Sequence, residues 1–233
     1  MNKKLSIIIP AYNEEKNIGM LLQSIKRQEG VNFEVIVSDA QSTDNTSKIV
    51  KSFGYRVVKG GLPAKGRNCG AKLAKGDILL FLDADTILPN DFLRNALKEF
   101  SDRNLDIAGV NLIPISYKRL DHFLHDLYNL IQRASHKIDP LLSGACILIK
   151  KKVFIDVGCF DETLMVAEDH ALARKAKKKK YNIGILKNFI LLDVRRLDKE
   201  GRHVFISKLF YLWFQRLFGE IKKSKIKYDL KKR

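Results

Sequence analysis

Apolar residues along this chain gather in short runs, one of them unbroken, separated by stretches in which they recur every three or four positions. Runs at 5–9, 33–37, 55–58 and 78–82 have strand length. Ile78, Leu79, Leu80, Phe81 and Leu82 leave no polar position on either side, which predicts a strand buried between two layers of helices. Ile18, Leu21, Leu22 and Ile25 predict a helix that begins after Asn13 and ends near Gly30. A second helix is expected over 45–53, capped by Thr43 or Asp44. A third is expected over 69–75, after a flexible basic loop at 59–68. Strands and helices alternating in this way predict an α/β fold with a doubly wound, mostly parallel central sheet flanked by helices.

The second half continues with a helix at 91–100, capped by Asn90 or Asp91, and a strand at 107–113. Over 118–134, Leu120, Phe123, Leu124, Leu127, Tyr128 and Ile131 recur at helical spacing. His122 and His125 lie three apart there. With no third ligand nearby, surface or packing roles are favoured over metal binding. A strand at 143–149, a turn at 158–162 and a helix over 171–180, opened by Glu168 and Asp169, complete one domain over 1–202. Residues 204–221 then carry Ile206, Leu209, Phe210, Trp213, Phe214, Leu217, Phe218 and Ile221 on one helical face. This C-terminal amphipathic helix, with the basic tail to 233, is too interrupted by Lys208, Gln215 and Arg216 to span a membrane. It is expected either to pack on the domain or on a second subunit, as in a homodimer, or to lie in an anionic membrane interface.

Charge sharpens these expectations. The net charge is +17, and nucleic acid, an anionic membrane face and phosphorylated substrates are the partners that answer to it. Cys69, Cys146 and Cys159 are odd in number and far apart, which favours free thiols in a reducing, cytoplasmic compartment. The N-terminal stretch is cut by Pro10, so neither a secretory signal nor a membrane span is expected there. The protein is therefore expected in the cytoplasm, as a peripheral protein on the membrane's cytoplasmic face if the tail docks there.

The candidate chemistry lies at strand ends. Asp83 and Asp85 follow the most apolar run, where open α/β sheets hold ligands. Paired carboxylates repel unless a cation lies between them, and hard oxygen donors suit Mn²⁺ or Mg²⁺ bridging to a diphosphate. There is no G-x-x-x-x-G-K-[ST] and no G-x-G-x-x-G after the first strand. Lys65 and Arg67, in a glycine-flanked stretch before a helix, offer an anion site instead. Asp39 either closes a turn or accepts an N–H from a base edge. Glu168 and Asp169 either stabilise a helix start or supply a general base.

Together, Ile-Ile-Pro-Ala-Tyr-Asn-Glu at 8–14, Val-Ser-Asp-Ala-Gln-Ser-Thr-Asp at 37–44, Lys-Gly-Arg-Asn-Cys-Gly at 65–70 and Phe-Leu-Asp-Ala-Asp at 81–85 resemble the non-processive family-2 glycosyltransferases of GT-A fold. The resemblance continues through 158–162 and Glu168-Asp169 and covers 5 to about 202. It implies inverting transfer of one sugar from a nucleotide-diphosphate donor to an acceptor hydroxyl or phosphate, with a lipid-linked acceptor among the candidates. Residues 1–113 would be the nucleotide-binding half and 114–202 the acceptor half. Pro10, Tyr12, Glu14 and Asp39 would line the base and ribose. Lys65 and Arg67 would address the diphosphate, and Asp83 and Asp85 the metal. Asp169 would be the base, with Glu168 beside it. Arg195, Arg196 and Arg202 look like a segment that closes on phosphate, with His203 a weaker candidate ligand. Ala40-Gln41 and Cys159 depart from the family's commoner glycines, and the processive Gln-x-x-Arg-Trp signature is absent. A catalytically silent nucleotide-sugar binder is the alternative. A nucleic-acid-binding protein is disfavoured, since no basic motif interleaved with aromatics is present.

Overall fold

The computed structural model describes residues 4–164, 167–195, 198, 201 and 202. The stretch at 203–233, His203 and Arg196 lie outside the described residues. Among the described residues, eight strands form one sheet in the order β3-β2-β1-β4-β7-β6-β8-β5. They are β1 (Leu5–Ala11), β2 (Phe33–Asp39), β3 (Arg56–Lys59), β4 (Ile78–Leu82), β5 (Thr86–Ile87), β6 (Ile107–Ile115), β7 (Cys146–Lys150) and β8 (Ile183–Asp193). The half β3-β2-β1-β4 is wholly parallel. In the other half, β7 runs antiparallel to β4 and β6, while β6 and β8 pair in parallel.

Among the described residues, seven helices cover the sheet: α1 (Ile18–Lys26), α2 (Thr46–Ser52), α3 (Pro63–Leu73), α4 (Phe92–Asp102), α5 (Arg119–Ser135), α6 (Lys151–Asp156) and α7 (Glu168–Lys178). Successive strand residues point to opposite faces, so the apolar runs split between two cores. Ile7, Ile9, Leu80 and Leu82 join α1 and α4 on one side. Ile8, Leu79 and Phe81 join α3, α6 and α7 on the other. Burial on both faces accounts for the unbroken apolar run at 78–82.

Several boundaries differ from expectation. Helix α3 begins at Pro63, so Lys65 and Arg67 lie within a helix and not on a flexible loop. Proline at the helix start has its φ preset and no N–H to satisfy. Gly66 and Gly70 are one turn apart and serve close approach to β1. A Cβ on Gly70 would lie 2.5 Å from Ile8 Cγ2, and one on Gly66 would lie 3.2 Å from Pro10 Cβ. Helix α1 starts at Ile18, with Asn17 and not Asn13 at its N-cap. Asn13 instead takes φ 54° and accepts from the Thr43 N–H at 2.9 Å. Glu168 and Asp169 form the first turn of α7, which therefore begins ahead of the expected 171. Among the described residues, no helix is long and apolar enough to cross a membrane.

Candidate active site

The site is assembled where β4 ends, α7 begins and α3 passes beneath both. Arg67 projects from α3 and is 2% exposed. Its Nη2 donates to Asp83 Oδ1 at 2.7 Å and to the Gly144 carbonyl at 3.3 Å. Its Nη1 donates to Glu168 Oε1 at 2.6 Å. Below the guanidinium lies the Phe160 ring, with Cζ 5.4 Å from its centroid. Phe160 is itself wedged against Phe81 and Phe154. A guanidinium fork with carboxylates on two sides and an aromatic floor has little rotational freedom.

Burial works against the charge on Arg67, but Asp83, Glu168 and Asp169 more than reverse it and hold the guanidinium firmly protonated. Burial pushes the Glu168 carboxyl up, and neighbouring Asp169 adds to the rise while Arg67 opposes it. Asp169 Oδ2 accepts from the Gly144 N–H at 2.5 Å, and its Oδ1 from the His170 N–H at 2.8 Å. A carboxylate at a helix start, fixed by two backbone donors, is both stabilised and aimed. Gly144 is required to be glycine by this approach: a Cβ there would lie 2.8 Å from Arg67 Nη2 and 3.2 Å from Asp169 Oδ2.

Asp83 and Asp85 begin a tight turn in which Thr86 Oγ1 donates to the Asp83 carbonyl at 2.8 Å. The Asp193 N–H donates to the Asp85 carbonyl at 3.0 Å. The end of β8 thus meets this turn, and Arg195 begins the basic segment beside it. Arg195 pairs with Asp193 at 2.8 Å. Arg202 is committed elsewhere, with its Nε and Nη2 on the two Asp121 oxygens at 2.6 and 2.8 Å. Buried Asp121 holds Arg202 against α5 in this arrangement.

The loops after β1 and β2 are stitched together beside the same crevice. Pro10 ends β1, Tyr12 follows half-buried, and the Glu14 N–H donates to Thr46 Oγ1 at 2.8 Å. Asp39 accepts from Ser42 Oγ at 2.5 Å and Ser47 Oγ at 2.7 Å, which is the turn-closing role weighed from sequence. Lys65 is exposed on α3.

Sequence reasoning missed Gly144, Phe160 and Asn68. Asn68 donates to the Phe160 carbonyl at 2.9 Å and accepts from its N–H at 3.1 Å, tying α3 to the 158–162 turn. Gly158 and Cys159 in that turn have φ 82° and 60°. Cys159 therefore takes the left-handed conformation that glycine adopts without strain. The paired small residues at 158–159 were the available signal for this turn. His125 is buried and bonds the Asp121 carbonyl, and His122 bonds the Ser116 carbonyl, as their packing reading anticipated.

The family model described as Glycosyl transferase family 2 matches residues 6–158. Poly(ribitol-phosphate) beta-N-acetylglucosaminyltransferase TarS of Staphylococcus aureus is 28% identical over 216 residues, 86% of this chain and 37% of TarS. The uncharacterized glycosyltransferase YfnE of Bacillus subtilis is 33% identical over 134 residues, 54% of this chain and 33% of YfnE. The chain thus spans little more than a third of the length of these relatives. A crystal structure of S. aureus TarS 1-349 with UDP-GlcNAc matches with TM-score 0.66 and 27% identity, covering 82% of this chain and 58% of that one. The mannosyltransferase PcManGT from Pyrobaculum calidifontis, in complex with GDP-Man and Mn²⁺, matches with TM-score 0.65 over 82% of this chain and 57% of its own. At 23% identity, that likeness is one of fold. With its GT-A arrangement and a family match running from β1 through the Asp83-Ala84-Asp85 turn, the chain belongs to glycosyl transferase family 2.

Proposed function

We propose that the chain is an inverting glycosyltransferase that moves one sugar from a nucleotide-diphosphate donor to an acceptor hydroxyl or phosphate, including one carried on a lipid. The observation that carries this reading is the Arg67 bridge, which draws Asp83 from the strand end and Glu168 from the helix start onto one guanidinium, beside Asp169. Donor-side and acceptor-side carboxylates then face one crevice. Asp169 takes the proton from the acceptor hydroxyl. The freed oxygen pair forms the bond to the anomeric carbon, opposite the diphosphate. The bond from that carbon to the diphosphate oxygen breaks, and its electron pair leaves with the nucleotide diphosphate.

Pro10, Tyr12, Glu14 and Asp39 lie at the ends of β1 and β2 and suit the base and ribose. Lys65 and Arg195 are the cations for the diphosphate, and Arg196 follows them in sequence. Arg67 is a positioning residue in this reading, since both arms of its fork are taken by carboxylates. The donor set fits Mn²⁺ or Mg²⁺. Asp83 has one oxygen on Arg67, and its other oxygen and the Asp85 carboxylate would be the hard ligands. Among the described residues no three ligand side chains converge, so diphosphate and water would complete the shell. Asp83, Asp85, Glu168 and Asp169 also outnumber the buried guanidinium, and this excess of negative charge favours a cation. When bound, the metal neutralises charge on the departing diphosphate.

UDP-GlcNAc, the sugar nucleotide solved with TarS, is the first donor to screen. Release of nucleotide diphosphate should appear with one donor of a UDP and GDP panel in Mn²⁺ or Mg²⁺. Asp169→Asn should bind that donor as the native chain does and transfer nothing to acceptor. Donor binding lost together with rate would make Asp169 a helix cap. If Glu168→Gln alone were inactive, the base would be Glu168. A panel in which no sugar nucleotide binds overturns the reading.

A further inference from the structure

Helix α5 buries polar side chains beside apolar ones: Asp121, His125, Asn129 and Gln132 lie on its buried face with Leu124 and Tyr128. Asn129 and Gln132 find partners on β6, and His125 bonds the Asp121 carbonyl of its own helix. Asn129 Nδ2 donates to the Leu112 carbonyl and its Oδ1 accepts from the Leu112 N–H, both at 2.9 Å. Gln132 Nε2 donates to the Val110 carbonyl at 2.9 Å. Asp121 holds Arg202. These bonds fix the rotation of the helix about its axis, so the opposite face is determined.

That opposite face is apolar. Leu120, Phe123, Leu127 and Leu130 are 47%, 63%, 39% and 58% exposed, with Tyr117 before them and Ile138 after them in the open. A water-facing helix carries the reverse pattern. From Leu120 to Leu130, about 15 Å, the stripe is more continuous than scattered surface leucines explain. Its margins are basic: Lys118, Arg119, Arg133 and Lys137 are exposed, and Asp126 is the single acid among the exposed positions from 117 to 138.

We propose that this face of α5 docks on an anionic lipid surface, with Phe123 and the three leucines entering the headgroup boundary and Arg119, Arg133 and Lys137 over the phosphates. Apolar residues flanked by cations are what such a surface recognises. A second copy would bring the same positive margins against themselves, which like charges oppose. The sequence beyond 202 adds to the case. Arg202 is held by Asp121 in the first turn of α5, and the sequence beyond it carries further lysines among apolar residues. Arg119, Arg133 and Lys137 and those lysines alike call for an anionic partner. A bilayer answers to both.

The test is sedimentation of the full chain with vesicles of phosphatidylcholine, with and without phosphatidylglycerol, alongside emission from Trp213, the single tryptophan. The native chain should pellet with anionic vesicles, stay free of neutral ones, and be released by salt as the Debye length shrinks. The double substitution Phe123→Glu and Leu127→Glu should weaken binding at least about tenfold, from the apolar burial lost. Arg133→Glu with Lys137→Glu should weaken it on anionic vesicles too. Met20→Glu, at an exposed apolar residue on α1, should bind as the native chain does. All variants should keep the native urea midpoint, since every altered side chain is exposed. A native chain left in the supernatant at low salt overturns the proposal. So does equal binding by the Phe123/Leu127 variant, which would credit the tail alone. Dimers dispersed by that variant would make the face a subunit interface. Trp213 emission already blue-shifted in the free chain, and reddened by that variant, would make the tail the occupant.

Discussion

Asp83 and Glu168 share one guanidinium: Arg67 Nη2 lies 2.7 Å from Asp83 Oδ1 and Nη1 lies 2.6 Å from Glu168 Oε1. Breaking a buried pair from one side is costly because the partner charges stay behind. Arg67→Ala should therefore destabilise the fold by about 3–5 kcal/mol, read as a lower urea midpoint. Arg67→Lys keeps the charge but cannot fork. It should retain more of the stability than Arg67→Ala and still lose most turnover, because Asp83 and Glu168 are no longer fixed relative to each other. Wild-type turnover in Arg67→Lys would mean that charge alone matters.

Gly144 gives a cleaner separation of binding from chemistry. A methyl group there meets Asp169 Oδ2, the proposed base, and Arg67 Nη2, which holds Asp83. Gly144→Ala should lower kcat on the order of 10²-fold, the scale of a misplacement near 1 Å, with donor affinity measured by calorimetry little changed. Loss of donor affinity in proportion to kcat would show that the 143–145 turn holds the donor instead.

The metal is read through binding, apart from turnover. Asp85→Ala should abolish the strengthening of donor binding by Mn²⁺ or Mg²⁺ and leave the urea midpoint near native, because Asp85 lies on a turn outside both cores. Donor binding in the native chain that is indifferent to chelator would remove the metal from the scheme.

Much of this arrangement was legible in the sequence. Apolar runs marked β1, β2 and β4, and in β4 burial on both sides leaves no polar position to interrupt the run, while Ser6 and Glu34 fall inside the other two. Asp83, Asp85, Glu168 and Asp169 stood out as carboxylates at element ends. The start of α3 was misread because Gly66 and Gly70 look like breakers, and only the approach of β1, through Pro10 and Ile8, explains them. Arg67 was marked as a site residue, but its contacts depend on Asp83 and Glu168 being brought together from distant positions. No local pattern encodes that meeting. The rotation of α5 was likewise hidden. A periodic apolar stripe implies a buried face, and the polar grip of Asn129 and Gln132 on β6 overrides it.

That polar grip contains a titratable group, and it sets the last prediction. His125 Nδ1 lies 2.7 Å from the Asp121 carbonyl. A carbonyl has no proton to give, so Nδ1 carries the hydrogen and donates it. Burial pushes the His125 pKa below its ordinary 6.5, with His122 adding to the fall while the Asp121 carbonyl and the charges of Asp121 and Asp126 oppose it. The unfolded chain therefore takes a proton near pH 6.5 that the folded chain still refuses. Between that pH and the depressed folded value, the unfolded state binds more protons, so stability rises with pH and falls as pH drops. The contribution is whole above about 6.5 and is progressively lost below it. The urea midpoint of the native chain should fall between about pH 7.5 and pH 5.5, and that of His125→Gln should fall less, because carboxylate titrations common to both cancel. The loss should appear first in α5, as faster hydrogen exchange at the Leu112 amide that Asn129 accepts. Equal pH slopes in the two proteins would mean that His125 titrates as freely in the fold as in the open chain.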